Sequence, residues 1–255
     1  MADSIHWFDT IDSTNTRLLA DKEALPDRSV YAALFQTAGR GQKGNRWESR
    51  PGENLTFSIL IKPEGIPARE QFILSQVVAL GLLDFLRTEQ VEATIKWPND
   101  IYVGDRKICG TLIEPTLSGG LLRSAVAGIG LNLNQSAFDP SLPNPTSLGL
   151  VTGQSYDLKA TLTRVLAPIF SRCDKLYSAY ARNGYDAEYM EHLYRRGEWH
   201  GFEELPASDV PTEYRSGRRI EARILGIDPE ARLLLEHRDG TIHPYGFKEI
   251  KYILG

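Results

Sequence analysis

Between Leu55 and Leu83 the hydrophobic period of the chain changes, and that change limits the fold more than any other feature. Leu55, Phe57, Ile59 and Ile61 alternate with Thr56, Ser58 and Lys62, the period of a strand with one buried face. Phe72, Ile73, Val77, Leu80 and Leu83 then recur at helical spacing. The stretch 72–86 is broken by Ser75, Gln76 and Asp84, so it reads as a buried helix. A membrane span needs about 18 apolar residues in a row. A strand feeding a helix, with strand-like pieces on both sides, places the chain in the α/β (α+β) class: a mixed β-sheet with flanking helices.

The remaining segments follow the same logic. Residues 5–11 read as a strand, and Asp12, Ser13, Thr14 and Asn15 offer helix caps before Leu18 and Leu19. Residues 31–36, 93–97 and 101–103 are strand-like, with a tight turn expected at Gly104-Asp105. Strands are expected over 107–115 and 121–132, joined at Ser118-Gly119-Gly120. Residues 157–182 have a helical pattern that Pro168 should kink or interrupt, and 186–196 read as a second short helix. After Trp199 the texture becomes short strands, 219–227, 233–237 and 241–245, with turns at Pro229 and Asp239-Gly240. This predicts two domains, 1–197 and a small β module over 198–255.

Charge and cysteine content exclude several classes. The net charge is -4 and the pI about 5.8, without the basic excess of a nucleic-acid binder. Cys109 and Cys173 make neither a disulfide framework nor a C-x-x-C zinc pair, which fits a reduced, cytoplasmic setting. No secretory signal is read at the N-terminus. The five histidines lack metal-ligand spacing.

Four segments carry chemistry. Residues 38–47 (Ala38-Gly39-Arg40-Gly41-Gln42-Lys43-Gly44-Asn45-Arg46-Trp47) follow a strand. Their glycines let backbone N–H groups approach a ligand, and Arg40, Lys43 and Arg46 suit a phosphate or carboxylate. Trp47 can stack on a flat ring. Taken alone, the segment is read equally well as a flexible basic surface loop, and no Gly-Lys-Ser/Thr closes it as a P-loop. Lys96-Trp97-Pro98-Asn99-Asp100 is a proline turn at a strand end, where Asp100 can face a magnesium ion or a ribose. Lys107-Ile108-Cys109-Gly110-Thr111-Leu112-Ile113-Glu114 puts a lysine after a hairpin, as a ligand contact or a solvated edge residue. Gly128-Ile129-Gly130-Leu131-Asn132 marks close approach of a ligand, of another segment, or a bulge.

In order and spacing these segments, with Asp12–Asn15 ahead of them, resemble the biotin–protein ligase family over nearly the whole chain. Gly226-Ile227-Asp228 and Lys248-Glu249-Ile250 are similar to that family's tail. The resemblance implies a catalytic domain like that of class II aminoacyl-tRNA synthetases and a small SH3-like β-barrel at the C-terminus. It implies biotin and MgATP as substrates and the acceptor lysine of a biotin carboxyl carrier protein as partner. Arg40 and Lys107 are implied as catalytic, at the biotin carboxylate and α-phosphate. Ser13, Thr14, Asn15 and Gln36 are implied at the ureido head, and Gly39, Gly41 and Gln42 along the biotin loop. Gly110, Leu112 and Gly130 would form an apolar trough. Lys43, Arg46, Trp47, Asn99, Asp100 and Asn132 are implied on the ATP side, with Asp100 near Mg2+.

The family's arginines at the fourth and seventh loop positions are replaced by Gln42 and Asn45, which leaves fewer cations around the phosphate. The Ser-Thr-Asn motif begins at Ser13, so the form expected is the one without an N-terminal DNA-binding domain. Neither DNA nor a membrane is expected as a partner, and the family includes both monomers and homodimers. Lipoate ligases, octanoyl transferases with a cysteine nucleophile, and a biotin-sensing regulator are the competing readings.

Overall fold

The computed structural model describes residues 5–42, 45–177, 179–205 and 217–254. The chain divides into two compact units, Met1–Asp186 and Ala187–Gly255.

The first unit is built on a seven-stranded mixed sheet. Its strands are β1 (Ile5–Ile11), β2 (Val30–Gln36), β3 (Leu55–Ile61), β4 (Thr94–Lys96), β5 (Asp100–Val103), β6 (Arg106–Ser118) and β7 (Leu121–Leu131). The order across the sheet is β1-β2-β3-β7-β6-β5-β4. Only the β1–β2 pairing is parallel. Strand β3, read from its alternation as having one buried face, is instead buried at all its positions. It is the third of seven strands in the sheet, with a neighbour on each edge.

Helix α1 (Thr14–Asp21) packs on one face of β2, β3 and β7, where Leu18, Tyr31, Leu60 and Val126 form a core cluster. Helices α2 (Ile73–Thr88) and α4 (Leu158–Asp174) pack on each other, and α2 packs on β5 and β6. By composition Ala68–Thr88 is long and apolar enough to cross a membrane, but 67% of its most apolar window is buried, the state of a core helix. A short helix α3 (Leu148–Thr152), absent from the sequence reading, starts at the cap Ser147 and ends at Gly153 with φ 73°.

Pro168 does not interrupt α4. A mid-helix proline removes one hydrogen bond. Here the face carrying Leu162, Val165, Leu166 and Ile169 is buried, and that packing outweighs the loss. The helix ends instead at Asp174, before a 3-10 turn and helix α5 (Ala179–Glu191), which starts earlier than the pattern over 186–196 indicated.

The second unit holds a five-stranded antiparallel sheet, as expected for an SH3-like module. Its strands are β8 (Trp199–Glu204), β9 (Arg218–Ile227), β10 (Leu233–His237), β11 (Ile242–Tyr245) and β12 (Ile250–Tyr252), in the order β11-β10-β9-β8-β12. Strands β8 and β12 were not read from the sequence. Phe202, Ala222, Ile224, Leu233 and Leu235 are fully buried within it.

Candidate active site

The site lies on the α1 face of the first unit's sheet, where side chains along β6 and β7 shrink to glycine. Gly110 pairs with Gly130, and Leu112 with Gly128, so the three glycines make one low patch. Each glycine is required by what lies on it. A Cβ on Gly130 would stand 2.2 Å from the Trp47 indole, and one on Gly110 would stand 3.0 Å from it. A Cβ on Gly128 would stand 2.2 Å from Asn15 Oδ1.

The loop after β2 is drawn together by its own backbone. Gly41 N–H donates to the Asn45 carbonyl at 2.7 Å, and Trp47 N–H donates to the Gly39 carbonyl at 3.1 Å. Arg40 and Arg46 pair as an isolated antiparallel bridge. Lys43 lies outside the described residues. A cavity of about 470 Å³ opens beside the loop, lined by Gly39, Arg40, Arg46, Leu112 and Glu114 among others. The indole Nε1 of Trp47 is buried with no hydrogen-bond partner among the described residues. An unmet buried donor costs about 1–3 kcal/mol.

Below the indole, Lys107 Nζ sits 5.6 Å from the ring centroid and 2.7 Å from Asp100 Oδ1. Lys96, not singled out from the sequence, belongs to the same charge group. Its ammonium is held below the ordinary lysine value by burial first and by Lys107 besides, while Asp100 opposes the shift. Asn99 Nδ2 donates to the Thr111 carbonyl at 2.5 Å, which fixes the 96–100 turn onto β6. Asn132 Nδ2 donates to the Thr146 carbonyl at 2.9 Å, so this end of the amide braces the strand exit. No cluster of three metal-ligating His, Cys, Asp or Glu side chains occurs among the described residues.

The polar end is a chain of short contacts. Ser13 caps α1, its hydroxyl accepting from Thr16 N–H at 3.4 Å. Thr14 N–H donates to Gln36 Oε1 at 2.8 Å, and Thr14 Oγ1 lies 2.7 Å from Ser58 Oγ. Ser58 Oγ donates to Asn15 Oδ1, and Asn15 Nδ2 donates to Glu114 Oε2 at 2.9 Å. Glu114 Oε1 accepts from Arg40 at 2.7 Å. The structure thus brings together Thr14, Asn15, Gln36 and Arg40, and separately Trp47, Lys107, Asp100, Gly110 and Gly130. Ser58 and Glu114 were missed as site residues. Glu114 closes the Lys-x-x-Gly-x-Leu-x-Glu segment, and that position was the available signal.

Residues 7–132 match the model of the Biotin/lipoate A/B protein ligase family. The chain is 34% identical over 168 residues to the biotin--[acetyl-CoA-carboxylase] ligase of Paracoccus denitrificans, covering 63% of this chain and 69% of that protein. It is 28% identical over 249 residues to the bifunctional ligase/repressor BirA of Bacillus spizizenii, covering 94% of this chain and 71% of the relative. The biotin protein ligase of Aquifex aeolicus, solved in complex with biotin and ATP, superposes with a TM-score of 0.77. The two are 24% identical, with 98% of this chain and 100% of that one covered, which shows a shared fold. The chain belongs to the biotin protein ligase family.

Proposed function

We propose that the protein activates biotin with MgATP to biotinyl-adenylate and pyrophosphate. It then transfers the biotinyl group to a lysine of a biotin carboxyl carrier protein, in the cytoplasm. The observation that carries this reading is the pairing of two unlike ends on one glycine patch. One end is a neutral hydrogen-bonding chain suited to a ureido head. The other holds Lys107, with Lys96 in its charge group, and Lys107 lies beside an indole whose N–H lacks an acceptor among the described residues.

In the first step a carboxylate oxygen attacks the α-phosphorus and the bond to pyrophosphate breaks. Two anions must meet, so cations lower the barrier by offsetting repulsion and the developing charge. Arg40 and Lys107 take the carboxylate and α-phosphate, and Arg46 and Lys43 the outer phosphates. Gly110 and Gly130, on which the Trp47 indole rests in this structure, floor the trough with Leu112. Gly39, Gly41 and Gln42 bring backbone along the acid chain, and Ser13 fixes the start of α1 beneath the ureido contacts. Asn99, Asp100 and Asn132 face the nucleotide. The donor set suits a magnesium ion carried in by the triphosphate, since such ions keep water and phosphate ligands and need only one or two carboxylates. Asp100 is the carboxylate assigned to it. In the second step the acceptor amine attacks the acyl carbon and AMP leaves.

The test is ATP–pyrophosphate exchange with biotin, lipoate and octanoate in parallel. Exchange with biotin alone is expected. Exchange with lipoate or octanoate at a comparable rate would overturn the biotin assignment.

A further inference from the structure

We infer that Glu114 is a positioning residue that, with the Leu112 carbonyl, orients the Asn15 amide and through it the side-chain hydroxyls of the polar chain, so that its far end accepts N–H donors. The inference rests on the ligase reading and deepens it at the same site. A carboxylate can only accept. Glu114 lies between Arg40 at 2.7 Å and Asn15 at 2.9 Å, and both must donate to it. The Asn15 amide is therefore turned with Nδ2 toward Glu114 and the Leu112 carbonyl, and with Oδ1 toward Ser58.

The rest follows from counting protons. Ser58 has one hydroxyl proton, and it goes to Asn15 Oδ1. The 2.7 Å contact between Ser58 and Thr14 then takes its proton from Thr14. Thr14 has none left for Gln36 Oε1, although the two oxygens lie 3.1 Å apart. Gln36 Oε1 retains the Thr14 backbone N–H at 2.8 Å. Two oxygens with converging lone pairs are thus left side by side, an arrangement that an incoming N–H relieves. A ureido ring supplies such donors, and a dithiolane ring or an alkyl chain does not.

Glu114→Gln keeps the shape and reverses the logic. An amide facing two donors must turn its NH2 toward one of them; turned toward Asn15, it opposes the Asn15 NH2 and favours the flipped amide against the hold of the Leu112 carbonyl, and Ser58 then donates to Thr14. Thr14 then donates to Gln36, and the acceptor pair is filled. The expected result is a biotin KM raised about tenfold or more, in line with one or two lost hydrogen bonds, with kcat changed less. Ser58→Ala breaks the chain without touching Arg40 and should raise biotin KM as well. Thermal melting and biotin titration without ATP accompany each variant. Unchanged biotin KM in Glu114→Gln or Ser58→Ala would overturn the inference while normal wild-type exchange leaves the ligase reading standing. Absence of both biotin binding and exchange in the wild type would remove both.

Discussion

Lys107 and Asp100 stand 2.7 Å apart with side chains 31% and 16% exposed, so the pair is shielded and its charges act at close range. Removing the lysine takes one cation from the place where phosphate charge develops. Lys107→Ala should lower biotin-dependent pyrophosphate exchange by roughly 10²–10³-fold, the usual effect of losing one such donor, while the protein stays folded. Near-normal exchange would sink the assignment. Two residues further on, Cys109 is fully buried, and burial pushes its thiol far above the ordinary cysteine value. Lys107 pulls weakly the other way. A thiol that does not ionise is a poor nucleophile. Cys109→Ala should therefore keep exchange within about twofold of wild type and cost about 1 kcal/mol of stability. Loss of acyl transfer in that variant would revive the octanoyl-transferase alternative.

At the scale of elements, the glycines separate stability from ligand binding. A Cβ on Gly81 would stand 2.8 Å from Ile169 Cα, so α2 and α4 would have to move apart. Gly81→Ala should cost about 1–3 kcal/mol, read as a melting point lowered by several degrees. The nearest atoms to a Cβ on Gly130 belong to the Trp47 side chain, which is part of a loop. Gly130→Ala should leave melting nearly unchanged and raise the KM values for biotin and ATP. A melting loss as large as that of Gly81→Ala would make Trp47 a core residue instead. The same contrast explains what could be read in advance. Turns at Gly104 and at Gly119-Gly120, with φ of 55°, 59° and 77°, were legible because they are local. Ser58 was not: period-two alternation assigned it to solvent, and only the central place of β3 beneath α1 buries it. The tolerance of α4 for Pro168 likewise depends on packing against α2, which a single helix pattern does not contain.

Across the whole molecule, the sheet order β2-β3-β7-β6-β5 carries segments from Asp12 to Asn132 to one face, which motif order alone did not show. Every residue given a role lies in the first unit, Met1–Asp186. The second unit should therefore be separable from adenylation by a substitution in its own sheet. Glu204 on β8 accepts from Arg218 at 2.6 Å and from the Tyr245 hydroxyl. The Arg218 hydrogen bond chiefly holds its carboxyl below the ordinary value, against the opposing effect of burial. A folded pKa lower than the unfolded one means stabilisation present above the unfolded carboxylate value. That stabilisation is lost as the pH falls through the folded one. Glu204→Gln should thus melt lower than wild type at neutral pH, and the gap should close as the solution is acidified below the carboxylate range. Biotin-dependent exchange at neutral pH should stay within about twofold, because no adenylation contact is touched. A gap that persists unchanged into acid would show that packing, not the charge, accounts for the loss. A large fall in exchange would place the second unit in the first half-reaction as well as in the fold.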